Sequence, residues 1–160
     1  MFKYRIGFGF DVHPLTEGAP LVLGGVTVPH DRGAVGHSDA DTLIHAVCDA
    51  LLGAARLGDI GAHFPDSDAS LKGVDSRLLL KETVRLVAEK GYRIGNIDTT
   101  VCLQKPKIRP WIRQMEERLA ETMDISADDV SVKATTTEKL GFTGREEGVA
   151  AFATALLYRD

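Results

Sequence analysis

The segment FDVHPL, residues 10–15, sets Asp11 and His13 two apart in an otherwise apolar stretch. In extended chain such residues project from one face, so a carboxylate and an imidazole converge on one point. Both are good zinc donors, but a tetrahedral site that keeps an open position for chemistry needs a third protein ligand. His30, His37, His45 and His63 are the candidates. His45 falls in a helical pattern with Asp49 four residues on, where a carboxylate could take the second ring N–H of a metal-bound imidazole. The plainer readings stand beside this one. A helix histidine among apolar residues is more often a hydrogen-bonded core group, and Asp11 with His13 could be a surface couple.

Other stretches suit phosphate. His37 directly precedes Ser38, the expected start of a helix, where outward N–H groups favour an anion. Asp39 and Asp41 form D-x-D, yet acids in a first helical turn are stabilised by the helix dipole without any metal. ATTTEKLGFTG (134–144) offers hydroxyls and turn N–H groups, and Glu138 could hold a hard cation bridging phosphate oxygens. It lacks the Walker A spacing. KPK (105–107) reads as a solvated turn. The net charge of −4 over 160 residues leaves no broad basic face for nucleic acid, so any anion site is local.

These residues need a scaffold. Residues 3–10 read as a strand, and LVLGG (21–25) followed by VTVP (26–29) as extended chain turning at Gly24-Gly25. A helix begins at Ser38, with Ser38 and Asp41 as a capping-box-like pair; Leu43, Val47, Leu51 and Ala54 share its inner face, and Gly58 closes it. GDIGAHFPDSD (58–68) is a long loop of functional character. A second helix spans about Asp75 to Lys90, with Leu80, Val84 and Val87 inward. Residues 94–104 form a strand, Pro110 opens a third helix with Ile112, Met115 and Leu119 inward, and 129–134 alternates with Val130, Val132 and Ala134 on one side. Residues 149–158 read as a long strand. The sum is one α+β domain over 1–160, a mixed or antiparallel sheet with helices on one face.

No apolar run approaches the roughly 18 residues of a membrane span. The opening MFKYRIGFGF has charges too closely spaced for a secretory signal. Cys48 and Cys102 lie in apolar contexts and read as reduced core thiols of a cytoplasmic protein.

FDVH (10–13), HSDAD (37–41), LGDIGAHFPDSD (57–68), QKPK (104–107) and KATTTEKLGFTGREEG (133–148) together resemble the 2-C-methyl-D-erythritol 2,4-cyclodiphosphate synthase family of the non-mevalonate isoprenoid pathway. The resemblance spans nearly the whole chain. It implies a homotrimer with active sites between subunits, and release of CMP from 4-diphosphocytidyl-2-C-methyl-D-erythritol 2-phosphate. It also implies zinc on Asp11, His13 and His45, and a magnesium or manganese ion on the diphosphate with Glu138. His37 and Thr136 then stabilise the transition state. His37, Ser38, Asp59, Phe64, Pro65, Asp66, Ser67 and Asp68 correspond to contacts with the methylerythritol phosphate end, and Asp11, His13, Ile60 and Gly61 to substrate contacts as well. Leu103, Gln104, Lys105, Pro106, Lys107, Ile108 and Arg109, with Thr135, Thr136, Thr137 and Glu138, correspond to the cytidine end, and Phe142 and Arg145 to further substrate contacts. The family trimer has a central cavity for isoprenoid diphosphates; the extra charge of Glu146 beside Arg145 sets this chain apart there. A zinc phosphohydrolase and a non-catalytic nucleotide binder are the rival classes.

Overall fold

The computed structural model describes residues 3–160. Among the described residues are seven strands: β1 (Tyr4–Glu17), β2 (Leu21–Leu23), β3 (Val26–Val28), β4 (Arg32–Ala34), β5 (Arg93–Cys102), β6 (Val130–Thr135) and β7 (Gly148–Tyr158). Five of them form one mixed sheet in the order β4-β1-β7-β5-β6, with only β5 and β6 parallel; β2 and β3 pair as a separate hairpin. The helices are α1 (Thr42–Ala54), α2 (Ile60–His63), α3 (Ser76–Glu89), α4 (Ile112–Met123) and α5 (Gly141–Gly144). The expected α+β architecture holds. No helix among the described residues is long and apolar enough to cross a membrane.

The register of β1 on β7 runs unbroken from Tyr4↔Tyr158 to Pro14↔Gly148, which aligns the inward and outward rows of both strands. Along β1 the odd positions face the helices. Gly7 and Gly9 let α1 rest directly on the strand: a Cβ at Gly7 would lie 1.8 Å from the Ala50 carbonyl oxygen, and one at Gly9 1.9 Å from that of Ala46. Ala46, Ala50 and Ala54 supply the matching shallow stripe, all fully buried. Asp11 and His13 are the next two residues of that row. They therefore lie beneath the first turn of α1, where Thr42 and His45 project. The even positions face away, leaving Ile6, Phe8 and Phe10 exposed beside the half-buried Phe152 of β7.

A buried carboxylate fixes where α1 begins. Asp41 is the N-cap and accepts from Ile44 N (3.0 Å), Gly24 N (2.9 Å) and Gly25 N (2.7 Å). Gly24 and Gly25, at φ of +60° and +73°, make the two-residue turn of the β2–β3 hairpin, a conformation that glycine adopts without steric cost. One side chain thus caps a helix and clamps a hairpin to it. Burial pushes the Asp41 carboxyl up to about 6, against the pull of its three backbone donors.

Several boundaries move from the expected ones. The helix start at Ser38 is wrong, because Asp41 reaches the N3 amide of a helix that begins at Thr42, while the Ser38 hydroxyl accepts from Ala40 N. The helix ends at Ala54 with Arg56 left-handed, before Gly58. β1 runs on to Glu17, since beyond Pro14 it leaves β7 and pairs with β4, a three-residue strand too short to show a period. Ala134 is exposed, unlike Val130 and Val132. The loop 58–68 contains α2. The helix from Asp75, the third helix and the long last strand stand nearly as expected, with Asp75 the N-cap of α3.

Candidate active site

Asp11, His13 and His45 form a cluster whose donor atoms all lie within 4.8 Å of one another. Asp11 Oδ2 is 2.9 Å from His13 Nδ1 and 3.2 Å from His45 Nδ1. Donors at zinc–nitrogen and zinc–oxygen distances of about 2.0–2.1 Å sit roughly 3.3 Å apart in a tetrahedron. The carboxylate and two imidazoles are therefore spaced and chemically suited for such an ion. The electrostatics agree. Burial works against the imidazolium at His45, but the Asp11 carboxylate, with Asp41 and Asp39 behind it, outweighs it and raises its pKa. At Asp11 burial works against the carboxylate but is outweighed by the adjacent His13 and His45 rings, which hold the carboxyl below its ordinary range. The pocket favours positive charge at its centre.

Among the four candidate histidines, His45 is the one that joins Asp11 and His13. His30 sits by Asp31 (3.3 Å), and His63 donates to the Leu57 carbonyl (2.8 Å). Asp49 does not orient His45 as its spacing suggested; it accepts from Ile60 N (2.7 Å) and anchors α2 instead. The polar groups on the other ring nitrogen of His45 are Ser76 Oγ (2.9 Å) and Ser38 Oγ (3.1 Å). Thr42 Oγ1 reaches His13 Nδ1 (3.3 Å), and Gly36 is packed so closely on the His13 ring that a Cβ would meet it at 2.8 Å. Sequence reasoning missed Ser76, Thr42 and Gly36, and no local pattern marks them.

The cluster forms the floor of a cavity of about 430 Å³. Its walls include His37, Ser38, Ile60, Gly61, Phe64, Pro65 and Asp66 of the expected residues, together with Leu71, Val74 and Leu79, which were not expected. His37 does not flank a helix N-terminus, since α1 starts five residues later. Its Nε2 donates to the Asp68 carbonyl (2.9 Å), and its own carbonyl accepts from Gly73 N (2.7 Å), tying the loop after α2 to the cavity rim. Asp59 caps α2 through Ala62 N (2.9 Å), and Asp68 caps the turn at Ser70; neither Asp59, Ser67 nor Asp68 lines the cavity. The D-x-D carboxylates are both occupied by hydrogen-bond donors, but neither lies in a first helical turn as expected: Asp41 is the N-cap of α1 and Asp39 precedes it.

A second cavity of about 190 Å³ is lined by Leu103, Pro106, Lys107, Ile108, Arg109, Ala134, Thr135 and Thr136. It shares no lining residue with the first. The register row Asp11↔Ala151↔Val101↔Ala134 places the two three strand spacings apart, roughly 14 Å at about 4.8 Å each. Gln104 accepts from Lys139 N (3.2 Å), which joins the loop after β5 to that after β6. Thr137 is turned to the Leu140 carbonyl (2.7 Å), and Glu138 is exposed at φ +53°. Phe142 packs on Gly148, Arg145 pairs with Glu147 (2.8 Å), and Lys105 pairs with Glu146 (3.6 Å).

The YgbB family model matches residues 4–158. The chain is 64% identical over 156 residues to the 2-C-methyl-D-erythritol 2,4-cyclodiphosphate synthase of Syntrophobacter fumaroxidans, covering 98% of both chains. It is 60% identical to that of Bacteroides fragilis, covering 98% of this chain and 99% of the other. Among solved structures, the bifunctional IspDF from Campylobacter jejuni superposes with a TM-score of 0.96 at 44% identity, covering 100% of this chain and 43% of that one. The CDP complex of IspF from Plasmodium falciparum gives 0.86 at 34% identity, covering 99% of this chain and 97% of that one. A triad under an alanine-striped helix, two separate cavities and this likeness agree, and the chain belongs to the YgbB family.

Proposed function

We propose that this chain, as a single catalytic domain over residues 1–160, converts 4-diphosphocytidyl-2-C-methyl-D-erythritol 2-phosphate to 2-C-methyl-D-erythritol 2,4-cyclodiphosphate and CMP in the non-mevalonate isoprenoid pathway. The observation that carries this reading is the Asp11–His13–His45 cluster at the floor of a cavity, in a chain 60–64% identical to proteins named for that reaction.

In the reaction an oxygen of the 2-phosphate attacks the β-phosphorus. The bond from that phosphorus to the bridging oxygen breaks, and the electron pair leaves on CMP. No water enters, and the nucleophile is already ionised near neutral pH. The protein's work is to fold the substrate onto itself and offset crowded negative charge. A zinc ion held by Asp11, His13 and His45 would act as a Lewis acid on an oxygen of the attacked phosphate. A magnesium or manganese ion, with Glu138 as its protein ligand, would neutralise the diphosphate. The Asp68 carbonyl can only accept, so His37 keeps a proton on Nε2 and turns Nδ1 to the substrate. Ser38 stands beside it with a hydroxyl for the methylerythritol phosphate, and Phe64, Pro65 and Asp66 wall that end. The smaller cavity, with Lys107, Thr135 and Thr136, takes the cytidine diphosphate end; two relatives have structures described as CDP-bound.

Two cavities roughly 14 Å apart do not make one site within a chain, and this supports a homotrimer in which the smaller cavity of one copy meets the larger cavity of the next. The outer face of β1 supplies a surface for it. Ile6 is 74% exposed, Phe8 64% and Phe10 45%, an apolar row that a lone soluble chain rarely presents. Phe142 and Arg145 belong at that boundary, and an isoprenoid diphosphate would enter the trimer's centre past the Arg145–Glu147 pair. The enzyme acts in the cytoplasm.

The direct test is incubation of the purified protein with this substrate and divalent metal, followed by phosphorus NMR. Equal amounts of CMP and the cyclic diphosphate are expected. CMP appearing with linear methylerythritol phosphates alone would overturn the assignment.

A further inference from the structure

We infer that Asp39 and Ser76 are positioning residues for metal capture: through the Ser76 hydroxyl they hold the proton of His45 on Nε2 and leave Nδ1 bare toward Asp11. The inference rests on the metal reading of the Asp11–His13–His45 cluster proposed above.

It follows from counting protons. Ser76 is the first residue of α3 and is completely buried. Its backbone N–H donates to Asp39 Oδ2 (3.1 Å) and its hydroxyl to Asp39 Oδ1 (2.5 Å). A carboxylate only accepts, so the single hydroxyl proton of Ser76 is committed. What Ser76 Oγ then offers His45 Nε2, 2.9 Å away, is a lone pair, and Nε2 must be the donor. Ser38 Oγ lies 3.1 Å from the same nitrogen and takes Ala40 N–H; with Ser76 Oγ 3.4 Å away to receive its own proton, it is free to accept from Nε2 as well. Asp39 is itself fixed, since Oδ1 also accepts from Asp41 N (3.1 Å).

With the proton on Nε2, the neutral ring presents the Nδ1 lone pair to Asp11 Oδ2 at 3.2 Å. Two acceptors then face each other, an arrangement that a metal ion between them relieves. The D-x-D segment and the start of α3, which are 37 residues apart, thus meet behind the imidazole to arm it as a ligand. An outer partner of this kind is typically worth 10- to 100-fold in metal affinity.

The test uses full-length protein and zinc itself. Zinc affinity is measured by competition with a chromophoric chelator for wild type, Ser76→Ala, Asp39→Asn, Ser76→Thr and His13→Ala. The ring tautomer of His45 is read by nitrogen-15 NMR on zinc-free protein above the imidazole titration range. Expected are an Nε2–H tautomer in wild type, 10- to 100-fold weaker zinc binding with mixed tautomers in Ser76→Ala and Asp39→Asn, and recovery to within a few-fold in Ser76→Thr. The wild-type spectrum needs no variant to fold, and an Nδ1–H tautomer there overturns the inference. So does zinc affinity that falls in His13→Ala but not in folded Ser76→Ala or Asp39→Asn. Zinc affinity equal in wild type and His13→Ala overturns the metal reading as well, which separates the two failures.

Discussion

Replacing Gly9 by Ala should damage the site by lifting the helix that carries His45 off the strand that carries Asp11. A Cβ there would sit 1.9 Å from the Ala46 carbonyl oxygen and 2.7 Å from Ala50 N. Carbon–oxygen contacts settle near 3.3 Å or beyond, so α1 must rise from β1 by about 1.4 Å. Both obstructing atoms are backbone, and no side chain can give way. Crowding of this kind costs about 1–3 kcal/mol. His45 adjoins Ala46 and rises with it, while Asp11 stays on the strand, so the 3.2 Å approach of His45 Nδ1 to Asp11 Oδ2 opens by a similar distance. Misplacement by about 1 Å costs on the order of 100-fold in rate. Urea denaturation with an unchanged slope, zinc content and turnover would be measured together. Gly53→Ala on the same helix is the control: it has nothing within 4 Å, and should add about 0.5–1 kcal/mol of stability and leave turnover intact. A Gly9→Ala protein with wild-type stability and turnover would refute the packing argument.

Asp41 titrates near 6 in the fold against an ordinary 3.8, so its contribution to stability is full below about pH 4 and is lost as pH rises through 6, by up to roughly 3 kcal/mol. Asp41→Asn has no such titration; urea stabilities of the two proteins should therefore differ in pH slope across that window, and parallel curves would contradict it. Burial pushes the Cys48 thiol up to about 12, while Cys102 is only partly buried. A thiol reagent at mildly alkaline pH should label Cys102 in the native protein and reach Cys48 only on unfolding; equal labelling rates would count against the core assignment. Phe8→Glu puts a charge in the exposed apolar row, and sedimentation should show the proposed trimer giving way to smaller species with the fold retained. An unchanged trimer would place the interface elsewhere.

What could be read from the chain follows the range of the forces involved. Helices α3 and α4 carry their own periodicity and punctuation, and Asp75 and Gly91 mark α3 at both ends; the small residues at 149–158 in β7 allow helix as well, and only the preceding Gly148 and the segment's position favour strand. The Asp11–His13 pair is legible because two-residue spacing alone puts both side chains on one face. His45 as the third partner is not, since nothing local distinguishes it from His37 or His63. It is selected by α1 lying on Gly7 and Gly9, a contact between residues about 40 apart. The start of α1 was misread for a similar reason: Asp41 is held by Gly24 and Gly25, 17 and 16 residues upstream, and local capping chemistry pointed to Ser38. Ser76 behind His45 leaves no mark in sequence, because a serine opening a helix has an ordinary local explanation.

The central claim is that phosphate, and not water, attacks the diphosphate. Turnover in oxygen-18 water, with products resolved by mass spectrometry, tests it most directly. The account predicts CMP and a cyclic diphosphate, both free of label. Oxygen-18 in either product would mean hydrolysis, and would contradict it.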